Sequence, residues 1–293
     1  MKKHIGIIGG GAAGMMAAVT AARKGTKVTI LERNDRIGKK ILQTGNGKCN
    51  LGNRNLTVEC YHGGDAAWIK QALERFGTED TVCFFQKIGL LIKEKNGYLY
   101  PVSEQAASVL DVLRYELQTL GVEIIYGCKV QKVERTLSGK LVVNDGDREW
   151  QFDAVILTCG GKAAPGTGSD GSGWKIAKKA GHTCIAPVPA LVQLRCLETA
   201  LLKGIAGVRA DSRVRILCDG RETDVERGEL QLTEYGISGI PIFQLSRDVN
   251  YLLRDRKTVM AEIDFLPDMT EESYENMKAV SYTHLRAHET GAY

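Results

Sequence analysis

Long apolar runs are missing from this sequence: none of its 293 residues belongs to one approaching the roughly 18 that a membrane span needs, so no membrane partner is expected. A secretory leader is not expected either, because the apolar start is interrupted by Gly9-Gly10-Gly11 and reads as a working strand. Paired cysteines are also lacking. The eight thiols are scattered, and the two nearest, Cys49 and Cys60, stand eleven positions apart. That spacing excludes a C-x-x-C redox pair and argues against a Cys-ligated metal, so reduced thiols and a cytoplasmic location are expected. Charge of one sign is scarce as well: the net charge is +4 and no Lys/Arg block stands out, so no nucleic-acid partner is expected. No His, carboxylate pair or Tyr falls in a catalytic motif, and the sequence names no acid or base.

What is present is concentrated in the first 33 residues. His4 to Ile8 reads as a buried strand running straight into Gly9-Gly10-Gly11-Ala12-Ala13-Gly14, a G-x-G-x-x-G. In such a motif the first glycine permits a tight turn, the second lets the backbone approach a pyrophosphate, and the third lets helix and strand pack closely. Ala12 to Lys24 follows as a small-residue helix ending at Gly25, its N-terminal amides free to meet phosphates. A second strand, Lys27 to Leu31, ends in Glu32, eighteen residues beyond Gly14, where a carboxylate accepts from an adenosine ribose and repels a 2′-phosphate. FAD and NAD carry the free 2′-hydroxyl and NADP does not. A glycine-rich structural turn would explain the motif alone, but not the strand, helix and acid at their proper distances.

After Glu32 comes a polar loop containing Arg36, Lys39, Lys40 and then Thr44-Gly45-Asn46-Gly47-Lys48-Cys49-Asn50, bare backbone with a cation and an amide that suits an anionic cofactor. Helical spacing marks Ala66 to Phe76, a second helix capped by Thr78, and a longer one capped by Ser103; Trp68 and the Phe84-Phe85 pair read as core. Asn96-Gly97 turns a hairpin, and strands follow through Phe152. The nearly all-apolar stretch Asp153 to Thr158 reads as a buried parallel strand that returns Gly160 beside the first motif. A second literal G-x-G-x-x-G at Gly166, Gly168 and Gly171 is set aside as a nucleotide site, since no strand immediately precedes it and no acid follows near the required distance. It reads as a connection capping a helix and bordering the cofactor. Pro187 and Pro189 mark a boundary, beyond which strands predominate and Gly236-Ile-Ser-Gly-Ile-Pro241 leads into a helix. Ser281 to Tyr293 lacks caps and periodicity, is similar to translated adaptor sequence, and is expected to be a non-native tail. His284 and His288 within it stand four apart, yet no metal site is expected.

At Gly9 to Gly14, Glu32-Arg33, Thr44 to Asn50, Gly166-Thr-Gly-Ser-Asp-Gly, and Gly228-Glu-Leu through Gly236-Ile-Ser-Gly, the sequence resembles the YhiN-like family of bacterial FAD-dependent oxidoreductases. Members are described as aminoacetone-oxidase-like or oxo-bile-acid-reductase-like. Cys159 stands where many members have alanine, and Ile240 separates Gly239 from Pro241 where the glycine is usually followed by proline. The resemblance implies FAD, a β-domain inserted in the FAD fold, and redox work on a small-molecule substrate, with NAD(P)H as a candidate electron donor. Members run on further, so a C-terminally truncated, impaired chain is the expectation.

The expected fold is α/β: a Rossmann-like FAD-binding domain of parallel sheet plus β-meander over 1–187, a partial β-rich inserted domain over 188–280, incomplete at the C-terminus, and the tail 281–293. Gly9, Gly11, Ala13 and Gly14 are assigned to pyrophosphate, Glu32 to ribose, and Arg33 to the adenine side. Lys39 and Gly47 belong to the anion-binding loop, Lys48, Cys49 and Asn50 face ribityl or ring, Val130 contacts adenine, and Gly160 lies beside the glycine motif. The rivals are an NAD-dependent dehydrogenase, an RNA-associated flavoprotein, and a nucleotide-binding sensor without turnover.

Overall fold

The structure, a computed structural model, describes residues 2–278. The chain divides between Cys184 and Ile185 into two compact units. In chain order the first unit begins β1 (His4–Ile8), α1 (Ala12–Arg23), β2 (Lys27–Leu31) and β3 (Gly52–Asn53). It continues α2 (Ala66–Arg75), α3 (Thr78–Lys87), β4 (Ile92–Lys95), β5 (Tyr98–Pro101), α4 (Ala106–Thr119) and β6 (Glu123–Ile125). The strands β7 (Lys132–Arg135), β8 (Leu141–Asn144), β9 (Glu149–Phe152) and β10 (Ala154–Leu157) and the helix α5 (Ser172–Lys179) complete it.

A four-stranded sheet with order β10-β1-β2-β6 carries this unit, and its pairings are parallel. Successive side chains serve opposite faces, which explains the apolar ends of β1 and β2; β10, expected to be buried, is instead an edge strand with Ala154 and Leu157 exposed. Ile7 and Ile30 pack with Met15, Ala18 and Val19 of α1 and with Leu110 and Leu113 of α4. Their neighbours Ile8 and Leu31 pack on the other face with Val143 and Phe152 of the antiparallel meander β7-β8-β9. Strand β1 also leaves room for that meander: a methyl group at Gly6 would stand 2.5 Å from the Phe152 ring. This is an α/β Rossmann-like fold with a parallel sheet plus meander.

Three local expectations are corrected. Trp68 is exposed, because Ile69 and Leu73, half-buried, define the packed side of α2 and Trp68 lies off that stripe. Thr78 is the first residue of α3 and not its cap: the Asp80 carboxylate accepts from the Gly77 amide at 2.9 Å, while the Thr78 hydroxyl donates to the Asn53 carbonyl at 3.0 Å. Ser103 stands before the N-cap of α4, which is Gln105, and its hydroxyl is shared with Ser108 at 2.8 Å. The hairpin is as read, Asn96 and Gly97 both left-handed at φ 52° and 83°, the backbone that a two-residue turn between twisted strands requires.

The second unit comprises β11 (Leu194–Arg195), α6 (Ala200–Gly204), β12 (Arg209–Cys218), β13 (Arg221–Thr233), β14 (Gly236–Gly239), α7 (Ile240–Arg254) and β15 (Val259–Asp264). Its sheet is antiparallel, in order β11-β14-β13-β12-β15. Val214, Ile216, Leu230 and Leu232 recur at alternate positions and pack under Ile242, Leu245 and Val249 of α7. The Gly236-Ile-Ser-Gly segment is a strand within this sheet. Methyl groups at Gly236 and Gly239 would stand 2.0 and 2.2 Å from the Leu194 and Glu229 carbonyl oxygens, so close strand packing explains both glycines. Residues 271–278 are helical, and the tail expected at 281–293 lies outside the described residues.

Candidate cofactor cleft

Because β10, β1 and β2 are neighbouring parallel strands, the chain leaves all three at the same edge of the sheet. Gly9, Glu32 and Thr158 to Gly160 are therefore brought together from far apart in sequence. The Gly9 amide donates to the Leu31 carbonyl at 2.9 Å, and the Thr158 hydroxyl donates to the Ile8 and Gly9 carbonyls at 3.0 and 2.8 Å. In open α/β sheets the crevice outside these strand ends is where ligands bind.

The three motif glycines are required for three different reasons. Gly9 has φ 105°, a backbone that other residues rarely adopt. At Gly14 a methyl group would stand 2.0 Å from the Gly9 carbonyl oxygen, so α1 reaches its place against the loop only without a side chain. Gly11 is different: nothing lies within 4 Å of where its side chain would be. No protein atom accounts for that glycine. The open position leaves the adjoining backbone accessible from the cleft.

Glu32 is buried, and its carboxylate is held by three donors: the Gly10 amide at 2.7 Å, the Asn34 amide at 2.8 Å and the Asn34 side chain at 2.7 Å. A carboxylate offers about four lone-pair directions, so capacity remains for a ribose hydroxyl. Around it opens a cleft of about 250 Å³, lined by Gly9, Gly11, Ala13, Glu32, Arg33, Lys39, Val130 and Gly160 among the expected residues. That volume lies just under the roughly 300–1,000 Å³ of whole-ligand pockets, room for part of a dinucleotide. Gly14 stands behind the loop and does not line it.

Gly47, Lys48, Cys49 and Asn50 do not line this cleft either, although Thr44 does. Left-handed backbone at Gly45, Asn46, Gly47 and Cys49 coils the segment back on itself. The Lys48 ammonium pairs with Glu104 at 2.8 Å, and the Asn50 side chain accepts from the Gly52 amide at 3.1 Å. Cys49 is buried in the core cluster of the first unit, where burial pushes its thiol pKa up.

The lining also includes residues that sequence reasoning did not single out, among them Asn34, Cys128, Thr158, Thr167 and Ser169. The only available signal was the second glycine run, whose Gly168 and Ser169 reach the cleft. Burial raises the Cys159 thiol to about 11, helped by the Glu32 and Asp170 charges, and raises Cys128 to about 12, helped by Asp145. Both remain neutral thiols near pH 7 and offer no thiolate. Arg33, Arg36, Lys39 and Lys40 against the single acid Glu32 make the lining cationic, as a pyrophosphate requires. Of these, Arg36 is exposed and makes no ion pair among the described residues.

These features define a Rossmann-type dinucleotide-binding protein. The chain belongs to the HI0933-like, or YhiN-like, family of FAD-dependent oxidoreductases: the profile described as "HI0933-like protein Rossmann domain" matches residues 3–250. It is 46% identical over 284 residues to the 3-dehydro-bile acid delta(4,6)-reductase of Clostridium scindens, covering 96% of this chain and 68% of that protein. It is 31% identical over 271 residues to a ribosomal RNA dihydrouridine synthase of Haemophilus influenzae, covering 91% of this chain and 65% of that one. The chain thus spans about two thirds of the length of these relatives. Among solved structures, the open conformation of a flavocytochrome c3 fumarate reductase is similar at TM-score 0.46 and 17% identity, over 72% of this chain and 47% of that one, too loosely to extend to function. Since one relative modifies RNA, the relatives do not support the exclusion of nucleic acid read from charge. Among the described residues no helix is long and apolar enough to cross a membrane, and no cluster of His, Cys, Asp and Glu could hold a metal.

Proposed function

We propose that the chain binds FAD in this cleft and reduces a carbon–carbon double bond conjugated to a carbonyl in a small, steroid-like substrate. The observation that carries the cofactor reading is the unexplained space at Gly11, facing a cationic cleft beside a carboxylate already positioned by three donors. The residues fit the group: the amides that follow Gly11 at the start of α1 meet the pyrophosphate, Glu32 accepts from the ribose, Arg33 and Val130 flank the adenine, and Gly160 lets the returning strand approach closely. Glu32 also disfavours a 2′-phosphate. Bound FAD, reduced by a nicotinamide donor, supplies the hydride. The protein's part at the adenosine end is to bind and orient.

The substrate reading rests on the bile-acid reductase relative at 46% identity. A second reading, reduction of uridine in RNA, is favoured by the dihydrouridine synthase at 31%. Read as chemistry, both names describe double bonds conjugated to a carbonyl, so one flavin reaction serves either. The test is to purify the chain, record its flavin absorbance, reduce it anaerobically with NADH or NADPH, and offer a 3-oxo-Δ4,6 steroid or a uridine-containing RNA. Yellow protein reoxidised by the steroid is expected. Reoxidation by RNA alone would replace the substrate reading, and colourless protein that binds NAD would replace FAD.

A further inference from the structure

The second glycine-rich segment, Gly160 to Gly171, is tied across the cleft to the chain that follows β2. Arg33 Nη1 pairs with Asp170 Oδ2 at 2.7 Å and also donates to the Gly168 carbonyl at 3.3 Å. Asn34 Nδ2 donates to the Thr167 carbonyl at 3.4 Å, and Lys40 Nζ donates to the Ala163 carbonyl at 2.7 Å. Thr167, Gly168 and Ser169 on one side, and Arg33, Asn34 and Lys40 on the other, line the same cleft. The cleft therefore has two lips, joined to each other beside Glu32 by side chains of the first lip.

The joined segment bonds to itself, the Gly171 amide donating to the Gly161 carbonyl and the Thr167 amide to the Ala164 carbonyl, each at 3.0 Å, and it carries one strained residue. Its backbone is left-handed at Gly160, Ala164, Gly168 and Gly171, and at Ala164 a side chain is carried at φ 52°. Asp170 is the one acid on the segment. Its carboxylate meets Arg33 through one oxygen, and the other accepts from the Ser172 amide at 3.0 Å, so the acid links the guanidinium to the start of α5. Asp170 itself does not line the cleft. It acts on any ligand there through Arg33, whose planar group it orients and whose charge it neutralises. Arg33 and Asp170 remain partly exposed, which keeps the pair weak enough to open and sensitive to salt.

We propose that Arg33 and Asp170 form a clasp that closes the Gly160–Gly171 segment over the adenosine end of the bound dinucleotide, with Asp170 as the positioning residue that slows its release. This rests on the reading that the cleft takes FAD. The clasp holds a ligand already seated, so it governs departure far more than arrival.

The test uses the full chain and stopped-flow flavin fluorescence, with FAD and, in competition, ADP. Asp170→Asn is expected to release FAD about tenfold faster with arrival nearly unchanged, the scale of one charge-assisted tie. Asp170→Glu restores slow release in part. Adding Asp170→Asn to Arg33→Ala has no further effect, since the two residues act as one unit. ADP competition shows the same ranking of variants, whereas riboflavin, which lacks the adenosine, does not discriminate among them. Salt speeds release from the parent chain more steeply than from Asp170→Asn, which keeps only the screening of the cationic lining; if a substituted chain fails to fold, release from the parent chain that is indifferent to salt overturns the clasp. Equal release from the parent chain and Asp170→Asn, or additive effects in the double variant, also overturns it. Failure of the parent chain to bind either FAD or ADP overturns the cofactor reading itself, and the clasp with it.

Discussion

Single residues at this cleft separate ligand roles from folding roles. Under the proposed reading Glu32 serves both, because its carboxylate also organises the Gly10 and Asn34 amides. Glu32→Gln would turn an NH₂ group toward amide donors, and hydrogen bonds to a charged partner contribute about 1.5–3 kcal/mol. Loss of FAD affinity together with a lower melting temperature of the ligand-free chain is expected; unchanged values for both would remove Glu32 from the site. Glu104 provides a pH-dependent case away from the cleft. Its carboxylate sits between Lys48 and Lys93, and these two ammonium groups hold its pKa near 2 in place of the ordinary 4.5. A depressed acid contributes stability that is complete above the unfolded value and is lost as pH falls through the folded one. Melting temperatures of the parent chain and Glu104→Gln should therefore differ above about pH 4.5 and converge toward pH 2.

At the scale of elements, the β1–α1 turn makes the contrast that tests the cofactor reading. Gly14→Ala would push a methyl group to 2.0 Å from the Gly9 carbonyl oxygen, forcing α1 off the sheet. A loss of about 1–3 kcal/mol, the usual cost of overpacking, is expected whether or not FAD is present. The Cβ of Gly11→Val meets no protein atom within 4 Å, so the ligand-free chain should melt near the parent temperature while flavin content collapses. Normal flavin in Gly11→Val would move the pyrophosphate elsewhere. The motif told where these glycines sit, because a strand, a tight turn and a helix leave a local pattern. It did not tell that Gly14, assigned with Gly9 and Gly11 to the pyrophosphate, stands behind the loop, since the lining is set where separate strands meet at the sheet edge. Gly236 and Gly239 show the same limit: read in sequence as leading into a helix, they are strand positions crowded by neighbouring carbonyls.

For the whole molecule, two compact units, each with its own buried apolar clusters, imply two separately protected parts. Residues 182–190 carry no regular secondary structure and are mostly exposed. Limited subtilisin digestion is expected to cut there first and leave two resistant fragments; first cleavage inside β1–β2 or β12–β13 would contradict this. A ligand that binds only the folded first unit stabilises that unit by about 2.7 kcal/mol at a hundredfold excess over its dissociation constant. FAD should accordingly protect the N-terminal fragment against prolonged digestion and leave the C-terminal one unchanged.

The sequence by itself determined the dinucleotide unit, since G-x-G-x-x-G, the strand before it and Glu32 lie within one short βαβ stretch whose geometry is local. It also determined the parallel pairing of the strand Ala154–Leu157, though not its burial, since this strand stands at the edge of its sheet with Ala154 and Leu157 exposed, and it determined the patterned antiparallel sheet of the second unit. Only the tertiary structure decided that Lys48, Cys49 and Asn50 fall outside the cleft lining, that Trp68 lies off the packed stripe of its helix, and that the second glycine segment closes on Arg33 through Asp170. Those outcomes depend on partners more than fifty residues away in some cases, such as Glu104 for Lys48 and Asp170 for Arg33. Contacts of that range leave no periodicity in the chain, because they are made by folding and not by spacing.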